Sequence, residues 1–443
     1  MNATSPPNPL VSTNTEGQRN VWNIVWSCLV TISACVWIAV HPNIPASTDT
    51  QLVVAVRRAG LMMCALIAPE VIILWAMRQW YSARKIAQKH TSHGWKVTHG
   101  FFLQMGGFML YSGDKALHPL QLAELEELHR MGKIDWPSIT VEEIEDRSKG
   151  DALSKSLVIL QTTWFLAQCI IRTVKGFLLT ELELVTLAFA TLNAATYFFW
   201  WNKPLDIRCQ VPVRIKLELE DERLSINKPP KSEEVSSTGD PPLSGFGLPR
   251  FLRKFFVSII RSVKRVGSNI QRSFRERDMT VNFLAQLHYL TVAFFHIFLR
   301  IVNTINGYSP DGNLRVPTFY AAHLAPNPRV FFLMSISCAM IGTVFGAVHC
   351  IAWSFNFPSP YEQLLWRISS LVVTFAPIRF PSSSWKLLYA VLARIFYRLL
   401  LLVITTIYIL ARFGLIFQAF AGLRNLSPGV LQDIEWTNYI PHL

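Results

Sequence analysis

Charge is scarce in this sequence. Of its 443 residues, 16% are Asp, Glu, Lys or Arg, where a soluble chain carries about 25%. Acids are the scarcer kind, 29 against 42 basic residues, which leaves a net charge of +13. Much of that excess clusters between apolar runs, so it points to an anionic membrane surface and not to nucleic acid. No CxxC pair occurs, and the seven cysteines therefore support neither a zinc site nor a redox motif. Six of them (Cys28, Cys35, Cys64, Cys169, Cys338 and Cys350) fall in apolar stretches, and Cys209 lies in a polar loop. HExxH, GxSxG, P-loop and GxGxxG patterns are also missing, which removes support for hydrolase, ATPase and dinucleotide chemistry. No cleavable signal peptide is expected, because the first apolar run follows about twenty polar residues and is long enough to remain as a span.

What the chain has is hydrophobicity, 51% with a mean hydropathy of +0.29, gathered in separated runs. The stretch Leu61–Trp80 organises the rest. About twenty residues rising about 1.5 Å each match a hydrocarbon core of about 30 Å. Arg57 and Arg58 precede the run and Arg78 stands near its end. Pro69 removes a backbone donor near its middle. Beside it Glu70 places an acid at bilayer depth, where a charge costs several kcal/mol unless it is paired or neutral.

The pattern predicts an all-α polytopic transmembrane bundle of about seven or eight spans, with a cytosolic helical insert and a basic interfacial amphipathic helix. Residues 1–20 are expected to be disordered. Residues 21–111 hold a first transmembrane pair, about 21–40 and 61–80, plus a stretch around Gly106-Gly107 too short to span. That stretch reads as interfacial, re-entrant or packed on the bundle. Residues 112–155 form the polar insert, with Leu122, Leu125, Leu128 and Met131 on one helical stripe and a capping box at Thr140–Glu143. Gly150 is placed to stop the helix that this box starts. A second pair occupies 156–201, and a Thr180–Glu183 capping box opens its second member.

Residues 202–280 read as a cytosolic linker with a short strand in VPVRIKLELE and a basic amphipathic helix over 249–277. Residues 281–417 carry the later spans, about 281–299, 330–354, 362–379 and 387–410, and 418–443 form a tail. Basic flanks put the N-terminus, 78–96, 112–155, 202–280 and the C-terminal tail in the cytosol, a parity that needs eight spans; if 281–299 is interfacial, the tail is outside.

Few residues invite chemistry. Glu70, Arg78 and His349 form a candidate intramembrane polar site. A protonated Glu70 bonding the carbonyl freed by Pro69 is its structural counterpart. Asp146, Asp151, Asn202 and Asp206 form a weaker candidate acidic or metal site, with an NxxxD spacing over Asn202–Asp206 of the kind membrane prenyltransferases use for magnesium and diphosphate. Helix starts and stops account for the same residues. Glu181 and Glu183 read as capping carboxylates. His288 and His296, eight apart, lack the i, i+4 spacing of a metal pair. Arg253, Lys254, Arg261, Lys264 and Arg265 would bind an anionic leaflet; a calmodulin-type partner wants the same pattern. No cofactor and no metal is assigned.

The blocks ALIAPEVIILWAMRQW, GWKVTHGFFLQMGGFML, EDRSKGDALSKSLVILQTTWFLAQCI, ELELVTLAFATLNAATYFFWWNKPLDI and FGAVHCIAWSFNFPSPYEQLLWRISS resemble a large family of fungal multi-pass integral membrane proteins without characterised activity. The resemblance covers about 60–430. It implies a fungal source and a membrane location and supplies no catalytic residues. The expected role is transport or channel-like. A membrane enzyme acting on a lipid or isoprenoid, and a membrane sensor or scaffold, are the alternatives. Transport requires charged groups facing one another deep in the bundle. An enzyme requires Asp146, Asp151, Asn202 and Asp206 to converge on one pocket.

Overall fold

The computed structural model describes residues 19–37, 40–148, 151–216, 314–322, 328–377 and 391–433. The basic helix expected over 249–277, the span expected over 281–299 with His288 and His296, and Gly150 lie outside the described residues. Helix dominates the rest. Four helices are long and apolar enough to cross a membrane, five if one sharply bent pair counts as a single crossing.

The bent pair is the stretch expected to cross as one span. It breaks into α1's successors, helix α2 (Gln51–Ile67) and helix α3 (Pro69–Lys89), where α1 is Val21–Trp37. The two meet at 110°. Pro69 has no N–H and its ring disfavours helical backbone in the residue before it. Ala68 accordingly leaves the helical region at φ −140°, ψ 64°, and Pro69 becomes the first residue of α3. Arg58 of α2 reaches Asp206 and Gln79 of α3 reaches Lys203, so the pair turns back towards the end from which it entered.

Helices α7 (Asp151–Val174) and α8 (Glu181–Trp200) form an antiparallel hairpin. Lys155 bonds the Trp201 carbonyl at one end, and Arg172 bonds the Leu178 carbonyl at the other. The predicted capping box opens α8: Thr180 Oγ1 accepts from the Glu183 N–H, and Glu183 accepts from the Thr180 N–H. Helix α1 runs parallel to α8, with Arg19 on Glu183 at one end and the His41 carbonyl on Lys203 at the other. The N-terminal end of α1 and the segment 203–216 therefore lie at opposite ends of α8.

Helices α9 (Pro328–His349), α10 (Pro360–Phe375) and α11 (Val391–Ala421) complete the bundle. α9 and α10 approach closely at Gly346, where a Cβ would stand 2.4 Å from the Thr374 Cα. α11 runs eleven residues past its expected end at 410. Its end meets the N-terminal end of α8, where Arg424 pairs with Glu362 and Gly422 lies against Glu181. The bundle core includes Phe165, Leu184, Phe189, Phe345, Trp366 and Leu415.

The polar insert is not all-helical. Helix α4 (Val97–Gln104) packs on α3 and leads through Gly106, at φ +83°, into strand β1 (Phe108–Ser112). β2 (Lys115–Pro119) pairs antiparallel with β1, and β3 (Val211–Arg214) pairs parallel with it on the other side. The expected strand in VPVRIKLELE is thus present as β3, and the all-α expectation is corrected by a three-stranded sheet. Helices α5 (Leu122–Arg130) and α6 (Val141–Asp146) cover it. Leu125 and Ile144 join Trp95, Phe102 and Phe108 in a second core. Met131, expected on the buried stripe, is 45% exposed, because α5 ends at Arg130.

Candidate functional site

The break at Ala68 places Glu70 in the first turn of α3, where the helix dipole favours a carboxylate. Glu70 lies nine residues before Gln79, about 13 Å deeper along the helix axis. Its partner arrives from α11. The Arg412 guanidinium pairs with Glu70 Oε1. Tyr408, one turn earlier on α11, donates to the same oxygen at 2.7 Å and accepts from Arg412 Nε at 2.8 Å. Arg412 is only 3% exposed and Glu70 15%. The Phe345 ring of α9 faces the guanidinium at 3.8 Å, a cation–π contact. Cys338 donates to the Glu70 carbonyl at 3.4 Å, and a Cβ at Gly342 would stand 3.1 Å from Glu70 Cγ. Helices α3, α9 and α11 thus meet on one charged pair.

Of the three residues expected to share this site, Glu70 is at its centre. His349 sits one ring away: it donates to the Phe345 carbonyl at 2.9 Å and packs on the Phe345 ring. Arg78 lies two turns from Glu70 along α3, next to Gln79, and is half-buried. The expected last span ends at 410, so Arg412 falls outside it, and Tyr408 lies inside it with no charge to mark it. An Arg inside an apolar run, with Tyr at i−4, was the available signal.

A second buried cation stands at the other end of α8. Lys203 is fully buried. It donates to Gln79 Oε1 at 2.9 Å and to the His41 carbonyl, between the Trp75 and Trp200 rings at 4.5 and 4.4 Å. Burial pushes its ammonium well below the usual lysine value; the two acceptors and two indole faces work the other way. Gln79 also donates to the Tyr320 carbonyl and accepts from Trp200 Nε1. This knot ties α3, α8 and residues 314–322 together.

Of the four residues of the weaker acidic site, three have described side chains, Asp146, Asn202 and Asp206. Asp206 is taken by Arg58, at 2.8 Å to both oxygens. Asp146 and Asn202 are exposed, and Asp151 opens α7 with its side chain outside the described residues. Among the described residues no group of three or more His, Cys, Asp or Glu has metal-binding geometry. Arg253, Lys254, Arg261, Lys264 and Arg265 lie outside the described residues.

A helical protein with a broken helix and a buried ion pair at the break is the class these features define. The chain belongs to a family of unknown function (DUF8562), which it matches over residues 2–227. That match takes in Glu70 and stops before Arg412. No curated protein and no solved structure matches the chain.

Proposed function

We propose that this is a multi-pass membrane protein of transport or channel-like type, with Glu70, Tyr408 and Arg412 as the polar site of its path. The observation that carries this reading is the coincidence of a buried charged pair with a broken helix. Discontinuous helices at bilayer depth occur where they line a polar site, and half-helix N-termini and intramembrane charges mark such sites. An apolar exterior supports the membrane. Leu160 of α7, Phe198 of α8, Met340 of α9 and Phe417 of α11 are 68%, 66%, 64% and 72% exposed, a surface that acyl chains cover and water does not. The count of seven or eight crossings is part of this proposal, supported by four or five candidate spans among the described residues. The basic flank Arg84, Lys85 and Lys89 supports a cytosolic sheet-bearing unit; in this reading the start of α1 is on the opposite side.

The test is flux in liposomes. The purified protein is reconstituted in phosphatidylcholine–phosphatidylglycerol vesicles, and decay of imposed proton and potassium gradients is followed with entrapped dyes. Wild type is expected to dissipate one of these gradients faster than protein-free vesicles, and Glu70→Gln to lose most of that rate. No flux above protein-free vesicles, or an unchanged rate in Glu70→Gln, overturns the reading.

A further inference from the structure

A cavity of about 200 Å³ opens beside the end of α1 and the start of α2, away from the Glu70 site. Four arginines line it: Arg57 and Arg58 from α2, Arg208 from the segment before β3, and Arg315 from residues 314–322. Two carboxylates stand among them. Asp49 takes Arg57 through two hydrogen bonds, with Arg315 3.9 Å away, and Asp206 takes Arg58. Among the described residues of this cluster, four guanidiniums against two carboxylates leave an excess of two positive charges.

The arrangement is held in place. Arg58 lies over the Trp37 ring at 4.7 Å and donates to the Trp37 carbonyl at 3.2 Å. Its Nε is buried without a hydrogen-bond partner. A buried donor left unpaired is unfavourable until an acceptor satisfies it. Asp206 reaches Arg58 from a left-handed backbone at φ 55°, a strained conformation that persists only where its surroundings fix it. Gln51, Val54 and Ala55 of α2 also line the cavity, so it lies along one face of that helix.

We propose that this cavity binds a phosphate monoester. A dianionic phosphate matches the excess charge, and its three terminal oxygens match several guanidinium forks better than one carboxylate does. The group arrives either on an anionic lipid headgroup or on a soluble phosphate. Leu61 and Trp37 give the cavity an apolar wall along which the first carbons of an acyl chain can lie.

Calorimetric titration of the full chain in uncharged detergent tests this with three probes: dihexanoyl phosphatidate, dihexanoyl phosphatidylcholine and inorganic phosphate. Phosphatidate or inorganic phosphate is expected to bind wild type, and Arg208→Gln/Arg315→Gln to weaken it about tenfold or more. Binding of phosphatidate alone assigns the lipid source, and equal binding of inorganic phosphate assigns the soluble one. Phosphatidylcholine, with no net charge, is expected not to compete. If the double variant does not fold, Arg208→Gln alone serves, because that side chain is exposed; it is expected to weaken binding several-fold. Failure of both phosphate probes to bind wild type, or equal affinity in a folded variant, overturns the proposal.

Discussion

The helical bundle and the sheet-bearing unit handle charge in opposite ways. In the bundle, Arg412 is caged by Glu70, Tyr408 and Phe345, and almost no solvent reaches it. In the sheet-bearing unit, Glu127 and Arg130 pair across one turn of α5 with 44% and 74% of their side chains exposed. Geometrically both are good ion pairs. Only the first has no water to fall back on when one partner is lost. The worth of each pair is therefore set by how much water reaches it.

The sharpest way to break that comparison is to remove one buried partner. Arg412→Gln is expected to cost about 3–5 kcal/mol in equilibrium unfolding in mixed micelles, because Glu70 is left buried with an uncompensated charge. The double variant Glu70→Gln/Arg412→Gln is expected to regain a large part of that loss, giving a coupling energy that the single variants cannot show. Next comes packing in the same half. Gly346→Ala pushes a methyl group into the backbone of α10, and is expected to cost about 1–3 kcal/mol in the same measurement.

A smaller effect appears at the rim, through pH. Burial raises the Asp49 carboxyl, but the Arg57 hydrogen bond, the Ala46 N–H and the Arg57 and Arg315 charges outweigh it and hold the group below its ordinary value. Folding then gains from the ionised form above the unfolded pKa of about 4, and loses that gain as pH falls through the lower folded value. Wild type is expected to lose melting temperature below about pH 4, and Asp49→Asn to show a shallower acid limb. The smallest effect belongs to the exposed pair: Glu127→Gln is expected to leave the melting temperature unchanged within error, at any salt concentration. A measurable loss there would break the contrast between the two halves.

What could be read from the sequence was local. The helices α7 and α8 follow from apolar length, and the two capping boxes from four-residue spacing, because each depends on neighbours in the chain. β3 was legible through its alternation. β1 was not: FMLYS is buried along Phe108, Met109 and Leu110, so it shows no alternation, and its partner β3 starts a hundred residues later. Pro69 announced a break, but a run of spanning length reads the same whether it crosses or turns back. Glu70 was legible as a site residue because an acid in an apolar run stands out. Its partner is 342 positions away, beyond any local pattern.

One contact sets an order of events. Arg19 donates to the Val430 carbonyl and pairs with Glu183, while Arg172 donates to the carbonyls of Val430 and Gln432. The Arg19–Val430 bond joins residues 411 positions apart. During synthesis the ribosome delivers α1 long before its clasp exists. The first helix must therefore wait, held by α2, α7 and α8, until nearly the whole chain has emerged. A nascent chain arrested before residue 430 would carry an α1 that is packed but not locked, with Arg19 and Arg172 lacking the carbonyls of Val430 and Gln432.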